Sequence, residues 1–217
     1  MKKNLEQDRP ISLLLVFLVV LFVSCLILSN ILANEMIEVF GYVLDAGTLL
    51  FPITYVLSDV FSEVYGYKWS RRVTWMAAAM NLLMVFLIFV ATSIPHPEWF
   101  DASHFQLALA SSYRIVLASI VSYFFGDLAN DRVFRRMKLR RQDSKGFEIR
   151  AIASSFVGEL VDTTLFVFIA FVGTMPYSEV FPMIAASVLI KTGYEVIILP
   201  VTLTVVKVVK KAEKMQV

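Results

Sequence analysis

Apolar residues in this chain gather in long runs instead of alternating or recurring every three to four positions. The first, "ISLLLVFLVVLFVSCLILSNILA" from Ile11 to Ala33, carries no charge. A helix needs about 20 mostly apolar residues to cross a hydrocarbon core of about 30 Å. Runs of that order recur at about 44–64, 73–93, 105–129, 151–173 and 183–206. The pattern predicts an all-α integral membrane protein with six transmembrane helices, and a single membrane transport domain over 1–217. Lys2, Lys3 and Arg9 precede the first run as they would in a secretory signal. A signal's apolar core is only about 7–15 residues and is not followed by further spans, so a retained first helix is expected. Gly47 and Pro52 interrupt the second run, and Gly193 and Pro200 the sixth. Interrupted spans of this kind are a sequence pointer to transporter binding sites.

Lysine and arginine concentrate in cytoplasmic loops of membrane proteins. Here the N-terminus, the stretch from Tyr65 to Arg72, the basic loop 130–150 and the tail from Lys207 hold 18 of the 20 basic residues, by 3 + 3 + 8 + 4. With six spans these four segments share one side, which places both termini in the cytoplasm. The basic loop reads as a topology determinant and a contact for anionic lipid headgroups. No nucleic-acid-binding module accompanies it.

Composition narrows the chemistry further. Charged residues are 18% of the chain and hydrophobic ones 58%, against about 25% charged in an average soluble domain. The lone Cys25 sits inside the first run, which excludes an intrachain disulfide or cysteine metal site and suits a small buried apolar residue. Histidine occurs only at His96 and His104, in the loop after the third span. No His-dependent triad or helix-borne zinc motif can form at membrane depth, and no P-loop spacing exists. The chain is read as a non-enzyme without cofactor or metal; an intramembrane aspartyl enzyme using Asp59 and Asp162 is the disfavoured alternative.

What remains is a set of charges inside the runs: Asp59, Arg114, Asp127, Glu159, Asp162, Lys191 and Glu195. One charge at a helix centre costs about 2.5–3.5 kcal/mol on insertion scales, so the set facing lipid would cost on the order of 15–25 kcal/mol. They must face the bundle interior, a partner or water. Asp59 and Glu63 are i,i+4, Glu159 and Asp162 i,i+3, and Lys191 and Glu195 i,i+4, so each pair shares a helix face. Lys191 is expected to neutralise Glu195 on its own helix, and Arg114 an acid on another. A surplus of carboxylates is left to hold a proton, a cation or a donor-rich solute. The bland readings are interhelical structural pairs and, for Asp59 and Glu63, caps near the end of span two. Ala118, Ser122 and Gly126, with Ser154 and Gly158, repeat small residues every four positions and predict close packing of spans four and five. A channel would show a repeated pore ring, whereas this asymmetric mixture suits a specific solute.

The segment "DAGTLLFPITYVLSDVFSEVYGYKWSRR" (Asp45 to Arg72), with "SNILA", "RIVLAS" (Arg114 to Ser119), "GELVDTTLFVFIAFVG" (Gly158 to Gly173) and the Lys191–Glu195 spacing, resembles the queuosine precursor transporter family, also called vitamin uptake transporter-like. The resemblance implies a six-helix carrier of the bacterial cytoplasmic membrane. Its implied cargo is 7-cyano-7-deazaguanine or 7-aminomethyl-7-deazaguanine, for tRNA queuosine modification. Where many members have Gly-Gln and a later Asp, this chain reads "GDLANDRVF", with Asp127 and Asn130 at those places. A deazaguanine offers two donors on one edge to a carboxylate, needs a donor for its O6, and has a flat ring suited to aromatic stacking. Asn30, Asp59, Glu63, Arg114, Asp127, Asn130, Glu159, Asp162, Lys191 and Glu195 are therefore the expected substrate-binding residues. A secondary carrier coupled to protons or sodium is the leading reading. The alternative is a substrate-binding membrane subunit of a modular ATP-driven vitamin importer.

Overall fold

Helix α1 (Leu13–Leu32) starts where the Ser12 hydroxyl accepts the Leu15 N–H at 3.0 Å, satisfying one of the orphan donors of a first turn. The computed structural model describes residues 11–109, 111–140 and 147–213. After α1 the chain forms an antiparallel hairpin, β1 (Met36–Val39) with β2 (Tyr42–Asp45), where a loop had been expected. Its two-residue turn, Phe40-Gly41, has φ of 52° and 81°, the left-handed geometry that matches strand twist. This hairpin is the one sheet among the described residues of an otherwise helical chain.

The second run is not one continuous helix. A 3-10 stretch (Ala46–Leu50) leads into α2 (Phe51–Val60), which passes into a π-helical turn (Phe61–Tyr65). Pro52 lies in the first turn of α2, where its missing N–H removes no hydrogen bond. Gly66, at φ 85°, ends the segment and turns the chain into α3 (Tyr67–Ser93). Helix α3 takes in the basic residues Lys68, Arg71 and Arg72, which had been assigned to a loop.

Helices α4 (Ser103–Leu109) and α5 (Ser112–Arg140) follow, then α6 (Phe147–Phe171) and α7 (Tyr177–Ala212). The expected basic loop 130–150 is therefore helical on both flanks; residues 141–146 lie outside the described residues. So do Lys2, Lys3 and Arg9, on which part of the orientation argument rests. Helix α7 runs unbroken through Pro182 and Pro200. Among the described residues five helices are long and apolar enough to cross a membrane, against six expected, because the broken second segment does not qualify.

Two apolar clusters organise the bundle. One joins Leu15, Leu18 and Phe22 of α1 to Leu57, Val60, Phe61, Val64, Val73 and the C-terminal part of α7 (Val206, Val209). The other joins Ile115 and Ala118 of α5 to Val167, Ala170 and Phe171 of α6 and Val180, Met183, Ile184 and Val188 of α7. Along α6 and α7, the charged residues lie outside both clusters, and on α7 Lys191 and Glu195 fall between them. Large apolar side chains such as Leu83, Phe86, Phe89, Ile197 and Leu203 point outward, as a hydrocarbon solvent requires.

Candidate functional site

The site is built from α6 outward. Helix α6 lies hard against α5 at two glycines: a Cβ on Gly126 would fall 2.8 Å from the Asp162 Cβ, and one on Gly158 2.9 Å from the Asn130 Cβ. The predicted small-residue packing of these two spans is thus realised at Gly126 and Gly158. Across from α5, α6 presents Glu159, Asp162 and Thr163 to Lys191 of α7. The Lys191 Nζ lies 2.8 Å from Glu159 Oε1, 3.2 Å from Asp162 Oδ2 and 3.1 Å from Thr163 Oγ1. Those three acceptors use all three protons of the ammonium. Thr163 in turn donates to Glu159 Oε1 at 3.1 Å. Lys191 is 6% exposed and its Nζ sits 4.6 Å from the centroid of the Phe51 ring, a cation–π contact. A buried ammonium needs this much compensation, because an unpaired one would be strongly destabilising.

Helix α2 supplies the facing wall. Phe51 and Tyr55 stack with centroids 6.0 Å apart and planes at 27°, and the Tyr55 hydroxyl donates to Glu159 Oε2 at 3.5 Å. One turn further along each helix, Asp59 of α2 and Glu195 of α7 are close enough for their charges to interact, and Glu195 also feels Glu159. Both are exposed, so this part of the cluster opens away from the packed interior. Glu159 and Asp162 touch the lysine, Asp45 feels its charge, and Asp59 and Glu195 extend the cluster through Glu159, so five carboxylates share one lysine with a formal excess of four negative charges if all ionise.

Several expected residues fall elsewhere. The pairing of Lys191 with Glu195 is not made: the lysine reaches across to α6, where two carboxylates and a hydroxyl offer more than one acid a turn down its own helix. Arg114 neutralises no acid in the hydrogen bonds it makes; its Nε and Nη2 donate to the carbonyls of Ile169 and Val172, capping the C-terminal end of α6. Asn30 donates to Asn81 Oδ1 at 2.7 Å, and Asn81 donates to the Ala77 carbonyl at 2.9 Å, a buried tie between α1 and α3. Glu63 lies at the end of the bundle where α1 begins and α7 ends, 63% exposed, 2.7 Å from Lys210 Nζ. Asp127 faces Arg71 of α3, and Asn130 packs on Gly158.

Sequence reasoning missed Tyr55, Phe51, Thr163 and Asn81, and the nearly enclosed Asp45, which is 4% exposed beside Thr48 and Gly47. Tyr55 stands one helical turn before Asp59, and Thr163 one helical turn after Glu159, so face periodicity could have found both. Asn81 had no signal beyond being an amide in an apolar run. A groove of about 470 Å³ between α5 and α6 is lined mostly by apolar side chains such as Phe125, Leu128, Leu160 and Leu165, with Arg132 and Thr164 as its polar members, and it includes none of the carboxylates of the cluster.

A polytopic helical membrane protein with a compensated lysine and surplus carboxylates inside its bundle has the makings of a small-solute transporter. Residues 45–205 match the family described as "Putative vitamin uptake transporter", and the chain belongs to that family. It is 22% identical over 188 residues to the probable queuosine precursor transporter of Bacillus subtilis (strain 168), covering 86% of this chain and 82% of that protein. It is 28% identical over 144 residues to the queuosine precursor transporter of Escherichia coli (strain K12), covering 66% of this chain and 62% of that protein. A probable queuosine precursor transporter of Haemophilus influenzae is 28% identical over 126 residues, 58% of this chain and 51% of that one. No solved structure matches significantly. The chain is a multi-pass protein of the bacterial plasma membrane.

Proposed function

We propose that this protein imports queuosine precursors, 7-cyano-7-deazaguanine or 7-aminomethyl-7-deazaguanine, as a secondary carrier driven by a proton or sodium gradient. The names of its relatives support the cargo class. The observation that carries the site is the excess of carboxylates around Lys191. In this reading Glu159 and Asp162 accept the paired donors on the base edge, and Asp59 and Glu195 meet the aminomethyl cation or the coupling ion. Lys191, with its protons already engaged, positions the α6 acids instead of donating to the base. Phe51 and Tyr55 supply the flat stacking wall. The broken second segment makes the sixth crossing, so both termini face the cytoplasm.

The test is queuosine in tRNA, read by boronate-gel mobility, in cells lacking both precursor synthesis and their own transporter and fed a low concentration of either base. The protein should restore queuosine, and Asp59→Asn should return it to background with membrane abundance unchanged. No restoration from either base, with the protein well expressed in the membrane, overturns the cargo assignment.

A further inference from the structure

We propose that the end of the bundle where α1 begins and α7 ends carries a gate, formed where the π-helical turn Phe61–Tyr65 closes against the last turns of α7. The proposal rests on the reading of the chain as a transporter. Two polar contacts latch the rim. Lys210 Nζ donates to Glu63 Oε1 at 2.7 Å, and the Tyr65 hydroxyl donates to Glu213 Oε1 at 2.9 Å. The Ser12 hydroxyl at the start of α1 donates to that same Glu213 oxygen, so three elements meet at one carboxylate.

Beneath the rim lies an apolar plug. Phe61 and Val64 of the turn pack with Phe22 of α1 and with Val206 and Val209 of α7, and the Phe22 and Phe61 rings meet edge to face at 5.6 Å and 82°. Along the helix axes the plug lies between the latch and the Asp59–Glu195 carboxylates, where a gate would close the route from the cluster to that end of the bundle.

The element that closes it is built to move. A π turn is rare and is frequently found at functional sites. Gly66 directly after it holds φ 85°, with open space where a Cβ would stand, so the hinge is backbone-limited and uncrowded. Asp59 sits in the helical turn that the π segment continues. Rewinding 61–65 as α-helix rotates Glu63 and Tyr65 away from α7 and shifts Asp59 with them, which couples cavity occupancy to opening.

A Cys25→Ala, Val64→Cys protein in lipid nanodiscs tests this through the rate at which a maleimide alkylates Cys at position 64. An exposed ion pair is worth up to about 1 kcal/mol, so Lys210→Glu should raise the rate about fivefold, and adding Glu63→Lys should bring it back. Queuosine restoration in cells should fall in the single variant and recover in the double. If Lys210→Glu lowers the melting temperature, Tyr65→Phe, which removes one bond and adds no charge, should raise the labelling rate instead. Labelling that neither variant changes, or that the charge swap does not restore, overturns the gate. Because labelling uses no substrate, failed queuosine restoration with a normal labelling response counts against the cargo and leaves the gate standing.

Discussion

Lys191 holds its place because three oxygens take its three protons, and the same contacts keep Glu159 and Asp162 apart from each other's charge. Replacing it with methionine leaves two partly buried carboxylates without a counter-ion. Breaking a buried pair from one side costs about 3–5 kcal/mol, so Lys191→Met should lower the melting temperature sharply in detergent. Lys191→Met combined with Glu159→Gln should recover part of the loss. The cost of burying charge was enough to mark Lys191, Glu159, Asp162, Asp59 and Glu195 from sequence. Their partners were not legible. Sequence gives only the spacing along one helix, which suggested Glu195 for Lys191, whereas the actual acceptors depend on how α6 is rotated against α7. Arg114 repeats the lesson: a guanidinium in an apolar run needed acceptors, and it found the carbonyls at the end of α6.

Among the elements, α5 and α6 are the pair most tightly fixed. Gly126→Ala would put a Cβ 2.8 Å from the Asp162 Cβ and 3.0 Å from the Gly158 carbonyl, both held by helical backbone. The helices must then separate. Overpacking of this kind costs about 1–3 kcal/mol, read as a lower melting temperature, and the displaced Asp162 should also weaken precursor uptake. The small-residue spacing made this contact readable in advance. The second segment was readable only as interrupted: Gly47 and Pro52 marked it, but apolar run length cannot tell a continuous helix from a 3-10, α and π succession. The hairpin escaped altogether. Its strands are four residues each, and its turn puts Phe40, 96% exposed, in a left-handed conformation that a phenylalanine seldom adopts.

Taken whole, the molecule carries a charged layer flanked by two apolar clusters, with basic residues at the end where α1 begins and α7 ends. That asymmetry fixes an expected orientation. With Cys25 replaced by alanine, Glu98→Cys should react with a membrane-impermeant thiol reagent in intact cells. Lys211→Cys should react only after permeabilisation. The opposite result would invert the orientation, and labelling of both from outside would mean an even number of crossings between them. The 3-10 stretch at the head of the second segment bears on how such a layer can work. Each of its five residues advances about 2.0 Å along the axis, against about 1.5 Å in an α-helix. Rewinding it would shorten the segment by about 2.5 Å, an axial stroke sufficient to make or break the 3.5 Å reach of Tyr55 to Glu159 while the five long helices stay where they are.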